Sequence, residues 1–271
     1  MNALLSVPAF IGFWVRAWAS ATGALTLMLA RVFLLLPRMN RREFFRGLVA
    51  FGWQTLPLTL VVSTVIGATV VLQTSLYTER FGARTFLGWA AGYAVIWEFG
   101  PLLVGLMMAA RVGARNAAEL AQLSVDGQLL GLSGISLDPL ALLVAPRVWA
   151  VVVSVSLLAM PAFLLAILWE IVASYFTLDL PVRVFLDSFE SMLGWGELSG
   201  GLLKSVAFAW AIALVSTQVG MHAQGGSRAV GRAAASSVVW SAASIFSLDF
   251  VLSWILARIA AMGLSGALGV G

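Results

Sequence analysis

Phe86–Ala110 reads FLGWAAGYAVIWEFGPLLVGLMMAA, with Glu98 as its single charge. A helix that crosses a bilayer needs about 20 mostly apolar residues, because the hydrocarbon core is about 30 Å thick and each helical residue rises about 1.5 Å. This stretch meets that length, and Gly88, Gly92, Gly100 and Gly105 within it let neighbouring helices approach closely where lipid supplies no hydrophobic drive between them. The same test is met by Leu56–Tyr77, Val148–Phe176, Leu202–Met221 and Ser237–Met262. The expected fold class is therefore an all-α integral membrane protein of about five transmembrane helices, tightly packed or oligomeric.

Composition supports the bilayer as solvent. Of 271 residues, 61% are hydrophobic and 10% charged, whereas soluble domains carry about 25% charged residues. Eleven Trp and a net charge of +4 suit interfacial aromatics and basic loops better than nucleic-acid binding, which would cluster many more Lys and Arg. The chain has no cysteine, which removes disulfides, thiol catalysis and Cys-ligated metals. Its one lysine, Lys204, lies in Gly200-Gly201-Leu202-Leu203-Lys204-Ser205, without the Gly-Lys-Ser/Thr adjacency of a phosphate-binding loop. No ATPase site is expected in this chain.

Orientation follows from Lys and Arg around the spans. Arg38, Arg41, Arg42 and Arg46 precede the first; Arg111, Arg115 and Arg147 lie between the second and third; Arg228 and Arg232 lie between the fourth and fifth. These regions are expected in the cytoplasm. The longest loop on the other side holds Asp179, Asp187, Glu190 and Glu197. Five spans then place the N-terminus inside and the C-terminus outside. Residues 1–46 are expected to form an interfacial, membrane-associated helix and basic segment rather than a sixth span, since Arg16 and Arg31 interrupt them. With no basic residue before Arg16, the opening stretch reads as part of the mature chain rather than as a signal peptide. Residues 47–271 form the main membrane domain.

Several positions resist a purely structural reading. Glu98 falls mid-span, where an ionised carboxylate costs about 2.5–3.5 kcal/mol on insertion scales, so it should face the bundle interior or a wet cavity. Gly100-Pro101 just beyond it removes a backbone donor and should kink the helix. The pair marks either a functional site or a Glu that locks two helices together. Arg111, Arg115 and Glu119 recur every four residues, placing them on one face at a helix end. Ala117–Leu132, with Asp126 and Gln128, is mildly amphipathic and too polar to span; a short cytoplasmic helix of this kind could dock a partner. Asp138-Pro139 reads as an N-cap with proline at the first helical position, and Pro146-Arg147 as the opening of the third span. Pro161 should kink that span, and Glu170 should reach the interface near its outer end. Asp249 in the fifth span needs a partner, either Ser247, Ser253 or a polar group of another helix. His222 has no acidic or His cluster beside it, so no metal site is expected.

Beyond these physical readings, Glu98-Phe99-Gly100-Pro101 resembles the Glu-Leu-Gly-Pro of the MlaE/YrbE permeases, the membrane subunits of MCE-linked ABC lipid transporters. The resemblance extends through Ala110-Arg111-Val112-Gly113-Ala114, Ala118-Glu119-Leu120, Asp138-Pro139-Leu140, Pro146-Arg147-Val148-Trp149-Ala150, Lys204-Ser205-Val206-Ala207-Phe208 and Leu248-Asp249-Phe250-Val251-Leu252. In order and spacing these blocks cover roughly residues 50–256.

The resemblance implies a homodimer in the bacterial inner membrane, partnered by a cytoplasmic ABC ATPase that uses the ATP, a periplasmic MCE-domain protein and membrane phospholipids, with no cofactor bound by this chain. Matched residue by residue, it puts lipid contacts at Val70, Tyr77, Thr78, Phe81, Trp97 and Glu98. It puts ATPase coupling at Arg111, Arg115, Glu119, Asp126 and Gln128, with Gly100, Pro101, Asp138, Pro139, Pro146, Arg147 and Asp249 structural. Two departures stand out: Asp126-Gly127-Gln128 where the family commonly has Thr-Glu-Gln, and Trp97 where some members have Arg. An ion-coupled secondary transporter using Glu98 and Asp249, or a membrane scaffold that only recruits partners, are the competing readings. Five spans do not divide into the equal halves that the first of these needs.

Overall fold

The computed structural model describes residues 20, 22–192 and 194–261, and among these every regular element is helical. Five helices are long and apolar enough to cross a membrane. They are α2 (Arg41–Arg80), α3 (Arg84–Val125), α5 (Leu140–Leu178) and α7 (Trp195–Met221), with α8 (Ser227–Ala261) as the fifth. Three shorter helices complete the chain: α1 (Thr22–Leu34), α4 (Gln128–Gly134) and α6 (Val182–Met192). The chain is a multi-pass membrane protein of the expected class. The described part of α1 covers about 20 Å at about 1.5 Å per residue, and residues 1–19 and 21 of the expected interfacial segment lie outside the described residues.

Proline shapes the long helices. Three π-helical turns, Leu48–Trp53, Ala94–Phe99 and Leu140–Val144, each run into a helical segment with proline in its first turn: Pro57, Pro101 and Pro146. A proline lacks the N–H for the carbonyl four residues back and its ring crowds that carbonyl; the wider turn removes the conflict while keeping the helix continuous. This corrects the expected start of the third span. Pro146 does not open it, because the helix already begins at Leu140, where Asp138 Oδ1 accepts from Leu140 N at 2.9 Å as the cap. Pro161 sits inside the same helix without interrupting it.

The bundle closes at small residues. A Cβ on Gly67 of α2 would collide with the Ala166 carbonyl of α5, one on Gly201 of α7 with the Ile96 carbonyl of α3, and one on Gly88 of α3 with the Phe185 carbonyl of α6. These are backbone-to-backbone contacts that larger residues would force apart. A core of Phe51, Val95, Met108, Val148, Phe208 and Ile245 runs through the five spans. The acidic loop expected after the third span contains α6, which buries Phe185 and receives Trp89 N on Ser188 Oγ at 3.1 Å, satisfying a free amide at the start of a helical turn. Helix α5 ends at Asp179, whose φ of 49° is a left-handed cap that Asp tolerates. Glu170, expected to reach the interface near the outer end of α5, is instead fully buried against neighbouring helices.

Candidate functional site

Three spans bring their charges to one point. Lys204 of α7 is fully buried, and its Nζ donates to Glu98 Oε2 of α3 at 2.6 Å, to Ser253 Oγ of α8 at 2.7 Å and to the Trp97 carbonyl at 2.9 Å. An ammonium has three N–H donors, so all three are used. Asp249 Oδ1 of α8 lies 3.1 Å from the same Nζ and is held by charge without an aligned hydrogen bond. Ser253, one turn beyond Asp249, donates to Glu98 Oε1 at 3.0 Å, closing a ring of Lys204, Glu98 and Ser253. The Trp97 ring lies 5.5 Å from Nζ and stacks on Tyr93 at 5.9 Å.

The backbone explains why Trp97 O is available. It is the carbonyl four residues before Pro101, which has no N–H to give. Pro101 leaves this carbonyl without the usual N–H four residues on, and Lys204 takes it. Two carboxylates thus meet a single ammonium. Buried ion clusters are costly to assemble and destructive to break, so this one fixes how α3, α7 and α8 meet.

Lys204 was expected only to exclude a phosphate-binding loop and to match a family block; the site is built around it. The signal was present: a lone lysine in a predicted span, with Glu98 and Asp249 in two others needing a partner. Of the options for Asp249, the polar group of another helix is the one realised, since Ser247 donates to its own helix at Ala243 O and Ser253 serves Glu98.

A second cluster lies at the arginine-rich end. Arg147 of α5 donates to Glu119 Oε2 at 2.8 Å and to Glu43 Oε1 of α2 at 3.0 Å. Arg115 donates to Glu119 Oε1 at 2.9 Å, to Gln54 Oε1 at 2.7 Å and to the Ala50 carbonyl at 3.1 Å. Glu119 therefore joins α2, α3 and α5 through two arginines, and Arg147, expected as structural, is the bridge. Arg111 stays outside: it is exposed and, among the described residues, has no ion pair. The π turn Ala109–Gly113 holds more residues per turn and rotates Arg111 off the face that four-residue spacing predicted. Nearby, Asn116 is fully buried and donates to Ser216 Oγ at 2.8 Å and Thr217 Oγ1 at 3.0 Å, fixing the end of α3 to α7.

The expected single helix 117–132 is two. Its first part is the continuation of α3 to Val125, and α4 starts at Gln128 after Gly127, whose φ of 71° only glycine adopts freely. Asp126 and Gln128 are exposed on either side of this break. The expected lipid contacts divide. Trp97 and Glu98 belong to the lysine cluster, Tyr77 and Phe81 are largely exposed at one end of α2, and Val70 and Thr78 are buried, Val70 within this chain's own core and Thr78 with its hydroxyl bonded to its own helix. No group of three or more His, Cys, Asp or Glu that could hold a metal occurs among the described residues.

Five spans enclosing a lysine–carboxylate cluster define a polytopic helical membrane protein with a charged centre inside its bundle. Comparison with known proteins makes this specific. The chain belongs to the MlaE permease family, whose profile matches residues 44–255. It is 28% identical over 258 residues to a probable ABC transporter permease protein of Rickettsia typhi, covering 94% of this chain and 100% of that one. A probable ABC transporter permease protein of Synechocystis is 27% identical over 241 residues, 88% of this chain and 92% of that one. The chloroplastic protein trigalactosyldiacylglycerol 1 of Arabidopsis thaliana is 27% identical over 220 residues, 81% of this chain and 63% of the plant protein. The chain is accordingly a membrane permease subunit.

Proposed function

We propose that this chain is the membrane-spanning, non-catalytic half of an ABC lipid transporter. It moves phospholipid or a related lipid between the bacterial inner membrane and a periplasmic MCE-domain conduit, and a separate cytoplasmic ATPase uses the ATP. The observation that carries this reading is the continuity of α3. One 42-residue helix holds Glu98 in the lysine cluster and Glu119 in the arginine network, and extends to Val125 beside the exposed Asp126–Gln128 break. A partner that pushes on α4 acts on a lever already joined to α2, α5, α7 and α8. Family membership supports ABC coupling, and a relative named for a glycolipid supports lipid as cargo.

The positive-inside rule puts the arginine-rich end in the cytoplasm, hence α4 on the ATPase side and α6 on the periplasmic side. The fifth span buries only 11% of its most apolar window, against 39–56% in the other four, which leaves α8 available to a second copy in a homodimer.

Extraction of the tagged chain from its host in mild detergent, followed by mass spectrometry of bound proteins and lipids, tests the assignment. The expected recovery is an ABC ATPase and an MCE-domain protein in stoichiometric amounts, with bound phospholipid. Recovery of the chain alone after gentle cross-linking overturns it.

A further inference from the structure

A cavity of about 300 Å³ lies far from the lysine cluster, between α1 and the arginine-rich ends of α5 and α7. Met28 and Val32 of α1, Leu140 of α5 and Met221 of α7 form its apolar walls, while Arg31, Gln218 and His222 supply its polar groups. The volume is at the low end of ligand pockets, about 300–1,000 Å³. No carboxylate lines it. Arg46, Arg115 and Arg147 at this end each pair with a glutamate, but Arg31 is exposed and has no acidic partner among the described residues. His222 Nδ1 is turned to the Gln218 carbonyl at 2.9 Å; that oxygen can only accept, so Nδ1 carries the hydrogen and Nε2 is the nitrogen left free.

We propose that this cavity binds an anionic phospholipid of the adjoining leaflet, its acyl chain against Met28, Val32, Leu140 and Met221 and its phosphate against Arg31 and the Gln218 amide. Net charge selects the headgroup: any phospholipid offers its phosphate to the guanidinium, but phosphatidylcholine also brings a cation beside Arg31 with no carboxylate in the lining to receive it, whereas an anionic lipid brings none. Position selects lipid over a soluble anion. Leu27, which lines the cavity, and Leu34 are largely exposed apolar side chains on a membrane protein, so the mouth of the cavity meets lipid, and Arg31 beside Leu27 can reach a headgroup there. The site is separate from the lysine cluster, and the inference requires only that the chain is a membrane protein, not that it transports lipid.

Full-length protein in phosphatidylcholine nanodiscs, doped with either phosphatidylglycerol or phosphatidylcholine bearing a photoreactive diazirine on the acyl chain, provides the test, with adducts mapped by peptide mass spectrometry. Phosphatidylglycerol adducts are expected to concentrate on the peptides containing Met28, Leu140 and Met221. Arg31→Ala should reduce them about fivefold, the effect of losing one cation near a headgroup, whereas Arg31→Lys retains most of the labelling. Arg41→Ala, which removes an exposed arginine outside the cavity, should change nothing, and Leu140→Trp should block labelling by filling the space with Arg31 intact. Equal labelling by the two lipids, adducts spread evenly over the exposed faces of the spans, or no adduct because another part of the chain or a second copy fills the cavity would each overturn the proposal.

Discussion

The two ionic clusters use the same chemistry around differently buried cations. In the bundle, Lys204 is fully buried and spends every donor on Glu98, Ser253 and the Trp97 carbonyl. At the arginine-rich end, Glu119 and Arg115 have side chains 38% and 39% exposed, and Arg147 divides its guanidinium between Glu119 and Glu43. Glu98 is itself 39% exposed, about as much as Glu119, and what differs is the cation. Removing the fully buried Lys204 leaves the mostly buried Asp249 without a counter-charge, whereas loss of Glu119 still leaves Arg147 paired with Glu43. The buried cluster therefore acts as a lock on helix arrangement. The Arg115–Glu119 pair of the second cluster, partly exposed at both ends, can be remade at low cost, which suits a joint that moves.

Breaking the lock should have the largest effect. Lys204→Met strands Asp249, the partly exposed Glu98 and the Trp97 carbonyl together, and a loss of about 3 kcal/mol is expected, the low end for breaking a buried pair because Glu98 is 39% exposed, read as a large fall in the thermal unfolding midpoint in detergent. The triple variant Lys204→Met, Glu98→Met, Asp249→Leu sharpens the point. With no charge left to strand, it should recover part of that loss, the unpaired Trp97 carbonyl still costing about 1 kcal/mol or more. A triple variant no more stable than Lys204→Met would show that the cluster is not the lock.

At the other cluster, Glu119→Gln should cost about 1 kcal/mol or less, because partly exposed ion pairs contribute little and Glu43 still holds Arg147. Its effect should appear instead in coupling: lipid-stimulated ATPase activity of the purified complex falls while the melting temperature stays nearly constant. A variant that melts like Lys204→Met would erase the distinction between the two clusters.

The sequence made some of this legible and hid the rest for identifiable reasons. Span length and apolar content located all five spans, since the bilayer imposes them residue by residue. Glu98 and Asp249 stood out because isolated charges in spans are expensive. The ends of the elements were harder. Proline read as a helix start at Pro146, but a π turn let the helix begin at Leu140. Four-residue spacing grouped Arg111 with Arg115, but another π turn broke the period. Helix α6 was missed because an 11-residue amphipathic segment is too short to register as a span and too charged to look buried. Lys204 was passed over because its meaning lies in two other helices, and spacing along one chain does not report which spans touch.

The decisive experiment is ATP-dependent transfer of a fluorescent phospholipid from proteoliposomes holding this chain with its co-purified ATPase and MCE-domain partner. Transfer is expected to require ATP and to be largely lost in Glu119→Gln, with the complex still assembled. Transfer at the same rate without ATP, or none at all from an assembled complex with an active ATPase, would contradict the assignment.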